Sequence, residues 1–369
     1  MTLRPEYAQL IEVLGDPTAA RQMNDTQCSA LVGTARSANL LGALAERLKG
    51  AGIFTISHAE RHLDGARQLS DRQCRSVLWE VHRLQAVLGE LHIPVLLLKG
   101  AAYVMAGHAV ARGRLFGDID ILVPHAALAE VESRLMLSGW VSAKTSTYDQ
   151  RYYREWMHEL PPMTHVRRGT VLDVHHNILP PTARHAPNAG SIIDRSLPLL
   201  DPELPALRIP CPEDLVIHSI THLVHEGDLH NGLRDLWDID CMLRSFGGVS
   251  GFWQRLIEYA TDHDLVVPVR FGLRLVRQFF GTPIPATVLT ELSHDGQGPR
   301  DTRLLEAVYA RALQPGNRNG LDVATQLAQW AVYVRSHSLR MPWLLLLRHL
   351  TIKAWLGWRA GMKDSERRL

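Results

Sequence analysis

The chain has 369 residues, enough for an enzyme-sized core with at least one helical appendage. Its 40 lysines and arginines against 38 aspartates and glutamates leave a formal charge of +2, which excludes the global field of a nucleic-acid sleeve or an acidic tail. Any attraction for anions must be local. Cys28, Cys74, Cys211 and Cys241 show no CxxC and no paired spacing, so neither a disulfide framework nor a zinc ribbon is expected, and a reducing cytoplasm fits. The N-terminal MTLRPEYAQLIEVLGD lacks the order of a signal peptide, and no apolar run approaches the roughly 20 residues needed to cross a bilayer.

Residues 1–92 read as helices, because Val77, Leu78, Val81, Leu84, Leu88 and Leu91 recur at helical spacing, with earlier breaks at Gly50 and Gly52. At Ile93-Pro94 the character changes. Val95-Leu96-Leu97-Leu98 is a short continuous apolar run, the mark of a strand buried on both faces, and Lys99-Gly100 ends it. Ala101 to Met105 then opens a helix whose N-terminus faces whatever sits above that strand. After a loop bearing glycine and arginine (Gly107 to Gly117), Asp118-Ile119-Asp120-Ile121-Leu122-Val123 alternates and stops at Pro124, giving a second strand. Leu128, Val131, Leu135 and Met136 place a crossover helix over 125–138. Strands at Pro162–Val166 and Thr170–Ile178 flank Arg167-Arg168-Gly169, a hairpin turn. Eight prolines between Pro180 and Pro212 mark an extended, irregular connection, and beyond it the chain reads as mostly helical, with breaks near 281–285 and 315–320. The expected fold is α+β: N-terminal helices (1–92), a small mixed β-sheet core (93–180), the proline-rich connection (181–212) and a larger C-terminal helical domain (213–369).

Strand alternation projects Asp118 and Asp120 from one face, with Ile119 and Ile121 on the other. Two unpaired carboxylates side by side repel, an arrangement that makes little structural sense without a cation between them. Asp173, in Val171-Leu172-Asp173-Val174-His175, is again a single carboxylate between apolar neighbours. If its strand pairs beside the first, three carboxylates share one face, suited to two Mg²⁺ ions that carry the phosphates of a nucleotide. Gly100 lets backbone approach those phosphates, and Lys99 and Arg114 supply a point charge and a fork charge for their oxygens. Structural readings stand beside these: aspartates on an exposed edge, Lys99 as a solvated strand end, and Arg112 and Arg114 paired with acids of the helical segment.

The run LLLKGAAYVMAG…RGRLFGDIDILV…VLDVHH resembles the DNA polymerase β-like nucleotidyltransferase pattern of a glycine turn, an acidic-x-acidic strand and a third acid on a later strand. More narrowly it is similar to the bacterial family of uncharacterised nucleotidyltransferases, with an LKG turn, an Arg before DIDxLV and a later LDxH. The motifs span residues 93–178, with a weaker likeness to about 245. The resemblance implies Gly100 at the nucleotide turn, Asp118 and Asp120 as metal ligands and Asp173 as the third carboxylate. It implies transfer of a nucleoside monophosphate from an NTP, with ATP as the default donor, to an acceptor, releasing pyrophosphate. One position departs: the superfamily usually places Gly or Ser after the turn glycine, whereas this chain has Ala101, which removes a hydroxyl contact to phosphate. That departure is the main support for a rival reading, a catalytically silent nucleotide-binding or scaffold protein of the same fold. The near-neutral charge favours a small-molecule or protein acceptor over a long nucleic acid.

His218, His222 and His225 fall at i, i+4 and i+7 of a helix, opposite Val216, Ile220, Leu223 and Val224. The favoured reading is a solvated or cleft-lining face, with His222 at the nucleotide. The alternative is the metal site of a hydrolase, although Ser219-Ile220-Thr221 lacks the glutamate of the protease motif. Asp235, Asp238 and Asp240, with Arg234, read as salt-bridging residues of the next helix, Asp235 or Asp238 alternatively supporting the nucleotide cleft. Near the C-terminus Arg348, His349, Lys353, Arg359 and Lys363 share one sector of a helical wheel, as in a helix making peripheral membrane contact. Leu345, Ile352 and Leu356 intrude on that sector, so a packed terminal helix is expected.

Overall fold

The computed structural model describes residues 3–53, 57–144, 146–293, 299–314, 316, 322–348 and 351–352. Seven strands form one sheet: β1 (Val95–Leu97), β2 (Ile119–Leu122), β3 (Trp140–Ser142), β4 (Met163–His165), β5 (Val171–His175), β6 (Leu197–Pro198) and β7 (Leu207–Ile209). Their order is β3-β4-β5-β2-β1-β7-β6. β2 runs parallel to β5 and antiparallel to β1, so the sheet is mixed, as expected. The apolar run of β1 forms a strand because both its faces are covered: Val95, Leu96 and Leu97 are each 0% exposed. The hairpin between β4 and β5 turns at Gly169, whose φ of +71° suits glycine.

Helices Pro5–Gly15, Asp25–Ser37, Leu41–Gly50 and Ser57–Leu88 precede the sheet, and helices from Pro212–His225 to Val323–Arg340 follow it. The long helix Ser57–Leu88 buries Val77, Val81, Leu84 and Leu88 at the predicted spacing, while Leu78 falls outside the stripe and is exposed. Val131 and Leu135 of the crossover helix Leu128–Leu137 join the same buried cluster as the strands. The chain therefore has the α+β arrangement of a mixed sheet between two helical regions.

Two expectations need correction, and a third lies outside the described residues. The proline-rich stretch is not irregular throughout, since it contributes helix Ala189–Asp194 and strands β6 and β7, and β7 pairs parallel with β1. The prolines are compatible with this because Pro198 lies on the edge strand and Pro205 and Pro210 flank β7 rather than interrupt it. The three histidines of helix Pro212–His225 do not share a solvated or cleft-lining face, for His218 and His225 are buried along with Val216, Ile220 and Leu223, while His222 alone of the three lines the cavity that holds Lys99 and Asp120. The terminal basic sector lies largely outside the described residues, which hold Arg348 but not His349, Lys353, Arg359 or Lys363. Among the described residues no helix is long and apolar enough to cross a membrane.

Candidate active site

Parallel pairing of β2 and β5 sets Asp120 directly opposite Asp173, and Asp118 stands one residue ahead of β2. One carboxylate oxygen from each of the three lies within 4.8 Å of the others. Asp120 is buried, Asp173 half-buried and Asp118 exposed. At the start of helix Lys99–Met105, which follows β1, Lys99 adopts φ +41°, a left-handed conformation unusual for a residue with a side chain. Its Nζ donates to Asp120 Oδ1 at 3.2 Å, and His175 Nε2 contacts the same oxygen at 3.1 Å. Asp173 Oδ1 is buried and has no hydrogen-bond partner among the described residues.

The charges are unevenly compensated. Burial opposes the ionised form of Asp120, but Lys99 and His175 outweigh it and hold the carboxyl well below the usual range. Burial likewise disfavours the Lys99 ammonium, yet Asp120 and Asp118 prevail and raise its pKa. The negative charge of Asp120, followed by burial, pushes Asp118 up. Burial, then repulsion from Asp120 and Glu159, raises Asp173 to about 7. Three converging carboxylates, one with an orphaned buried oxygen and too little positive charge around them, form a donor set that fits hard divalent cations such as Mg²⁺.

These groups open into a cavity of about 470 Å³ lined by Lys99, Gly100, Arg114, Asp118, Asp120 and His222, together with Asn39, Asn231, Asp235 and Asp238. Of the site residues named from sequence, only Asp173 is off that lining. Arg114 Nε donates to Asp238 Oδ2 at 2.7 Å, and its guanidinium lies over Tyr103 and Phe116. Thus Arg114 has the partner among the helical acids that its structural reading foresaw, and it also lines the cavity. The long helix fixes the loop that carries it: Ser70 Oγ donates to Arg114 O at 3.0 Å, and Gln73 Oε1 accepts from Phe116 N at 2.8 Å. Close approach requires glycine twice. A Cβ on Gly100 would sit 2.6 Å from the Phe116 ring, and one on Gly113 (φ +74°) would sit 2.3 Å from the Gly42 backbone. Ala101, by contrast, is 2% exposed and turned into the core, off the cavity lining.

A second cavity, of about 600 Å³, shares the wall Phe116, Gly117 and Asp118 with the first. Its far side carries Arg72, Arg75, Trp79 and Arg168. Arg168 is tied to Glu80 at 2.7 Å, whereas Arg72 and Arg75 are exposed and form no ion pair among the described residues.

His222 reaches the first cavity, with Nε2 3.4 Å from Glu226, and burial drives its pKa well below the ordinary imidazole range. Burial lowers His218 to about 3 and His225 to about 4, so both are neutral core residues. The three histidines do not converge on a metal position among the described residues, which removes the basis of the hydrolase reading. Sequence reasoning missed His175 and Glu159. His175 was legible, because two residues beyond Asp173 on a strand is the same face. Glu159 carried no such signal, since a single bridge outside any regular strand brings it to His175.

A family model described as an uncharacterised nucleotidyltransferase matches residues 24–281, well over half of the chain, a span that includes the whole sheet and the linings of both cavities. No curated protein matches the chain.

Proposed function

Because the chain belongs to the uncharacterised nucleotidyltransferase family, we propose that it transfers a nucleoside monophosphate from a Mg²⁺-bound NTP, with ATP the default donor, to a hydroxyl-bearing small molecule or protein side chain, releasing pyrophosphate, on a polymerase β-like core. The observation that carries this reading is the meeting of Asp118, Asp120 and Asp173, with an orphaned oxygen on the third. Those three residues would hold the metal. When bound, Mg²⁺ supplies charge neutralisation on the triphosphate and acidifies an acceptor hydroxyl.

The protein's own groups do the rest. Lys99 keeps Asp120 ionised and brings a fixed cation to the triphosphate cavity. Arg114, locked by Asp238 and stacked on two rings, presents its fork without losing rotamer freedom on binding. The first cavity suits the NTP, since it holds Gly100, Lys99 and Arg114. The second suits the acceptor, because Asp118 stands on the wall between them. Its Arg72 and Arg75, which form no ion pair among the described residues, favour an acceptor with an anionic group. The buried position of Ala101 weakens the catalytically silent reading, because a hydroxyl there would not reach the cavity.

The test is incubation of the purified protein with each α-labelled NTP and cell extract, followed by tracing the label. Label should pass to an acceptor in the wild type and not in Asp118→Asn or Asp120→Asn. Equal labelling by the variants, or none by any NTP, would overturn the reading.

A further inference from the structure

A second group of ligating side chains lies beside the three aspartates. His158, Glu159 and His175 each bring a ligand atom within 4.8 Å of the other two, and none of them lines either cavity. The single antiparallel bridge to His175 fixes Glu159, and the His158 carbonyl accepts from the His176 N–H at 2.8 Å, so backbone holds both in place. The His158 and His175 ring centroids are 5.2 Å apart.

The ring nitrogens are informative. His175 is 4% exposed and its ring lies between two carboxylates, Nε2 3.1 Å from Asp120 Oδ1 and Nδ1 facing Glu159, so an ion on Nδ1 would take the place of a proton there. That Nδ1 is buried without a hydrogen-bond partner and lies 3.4 Å from Glu159 Oε2. Such a spacing matches the ligand–ligand edge, roughly 3.4 Å, of a tetrahedron around a metal with bonds of about 2.0–2.1 Å. His158 Nδ1 is also buried and unpartnered. Two buried imidazole nitrogens without hydrogen bonds and a carboxylate in one place are donors that an ion would satisfy.

We propose that His158, Glu159 and His175 bind a divalent transition ion of the zinc class, with Asp120 as the carboxylate that orients His175. Imidazole donors select such an ion over Mg²⁺, and a carboxylate on the far nitrogen is the usual support for a ligating histidine. Three protein ligands leave a fourth position open. An ion on Nδ1 strengthens the Nε2–H donor and so tightens its hold on Asp120, coupling this site to the aspartate cluster. The site itself does not depend on the transferase reading.

The experiment uses the full chain, stripped with chelator and titrated with Co²⁺ alone. The wild type should take up one equivalent with the intense visible bands of a four-coordinate, nitrogen-ligated ion. His158→Gln and Glu159→Gln should each weaken that uptake at least tenfold, while Asp173→Asn, which disables only the aspartate cluster, should keep the spectrum. Circular dichroism establishes that the variants are folded; should His158→Gln not fold, Glu159→Gln decides. Absence of the spectrum in the wild type, its persistence in folded Glu159→Gln, or its loss in Asp173→Asn would overturn the site.

Discussion

Asp173 is the residue where the proposed metal role and stability pull in opposite directions. Its pKa rises from an ordinary carboxylate value of about 4 to about 7 on folding, chiefly through burial and then through Asp120 and Glu159. The folded state therefore binds this proton more tightly than the unfolded one. The resulting stability is fully present below about pH 4 and is lost as pH rises through about 7. Asp173→Asn should thus raise the Tm of the metal-free protein at pH 8, by removing a penalty on the order of 2–4 kcal/mol, while abolishing turnover. Added Mg²⁺ should raise the wild-type Tm and leave the variant unmoved. A variant that melts lower than wild type at pH 8 without metal would contradict this account. Lys99→Met should act differently, leaving Asp120 buried with only His175 as partner: lower Tm near neutral pH and at least a hundredfold loss of kcat/KM, measured by melting and by pyrophosphate release.

At the scale of elements, the loop between Gly107 and Gly117 delivers Arg114, Phe116 and Asp118, and packing rather than local propensity sets its shape. Gly113 has φ +74° and abuts the Gly42 backbone, so Gly113→Ala combines backbone strain with a steric clash. It should cost about 1–3 kcal/mol of stability by denaturant titration and weaken NTP binding by displacing Arg114. Gln73→Ala is the milder probe. It removes the acceptor for Phe116 N from a helix that lines the second cavity but not the first, and should raise the KM for NTP severalfold with Tm nearly unchanged. Wild-type kinetics in Gln73→Ala would show that the long helix does not position the loop.

Element by element, legibility followed the range of the interaction. The apolar run of β1 and the alternation of Asp118 and Asp120 were readable because they depend on a few neighbouring residues and on burial. The pairing of Asp120 with Asp173 was readable only as a condition, since register between β2 and β5 is a non-local fact. β6 and β7 are not legible in the sequence because their prolines read as breakers, whereas edge and flanking positions tolerate proline. Periodicity places the three histidines on one face opposite the apolar stripe, which suits His222 at the first cavity but not His218 and His225, because a helix packed on several sides buries polar and apolar faces alike.

Across the whole molecule, the sheet supplies the carboxylates but the helices close the site. Asn39 donates to the Asn231 side chain at 3.1 Å, joining the N-terminal helices to those after the sheet across the first cavity's lining. Asp238 from beyond the sheet and Ser70 from before it both hold Arg114. A chain beginning at residue 93 would keep all three aspartates and lose Asn39, Ser70 and Gln73, so it should fail to bind NTP. The near-balance of charge, formally +2, fits a site whose positive groups are concentrated at Lys99, Arg114 and the arginines of the second cavity rather than spread over a basic face. The most direct measurement is a Mn²⁺ titration followed by electron paramagnetic resonance, with a non-hydrolysable NTP present, on wild type and Asp173→Asn. Stoichiometric Mn²⁺ bound by the wild type and at least tenfold weaker binding by the variant are predicted; equal binding by the two would contradict a three-carboxylate metal centre.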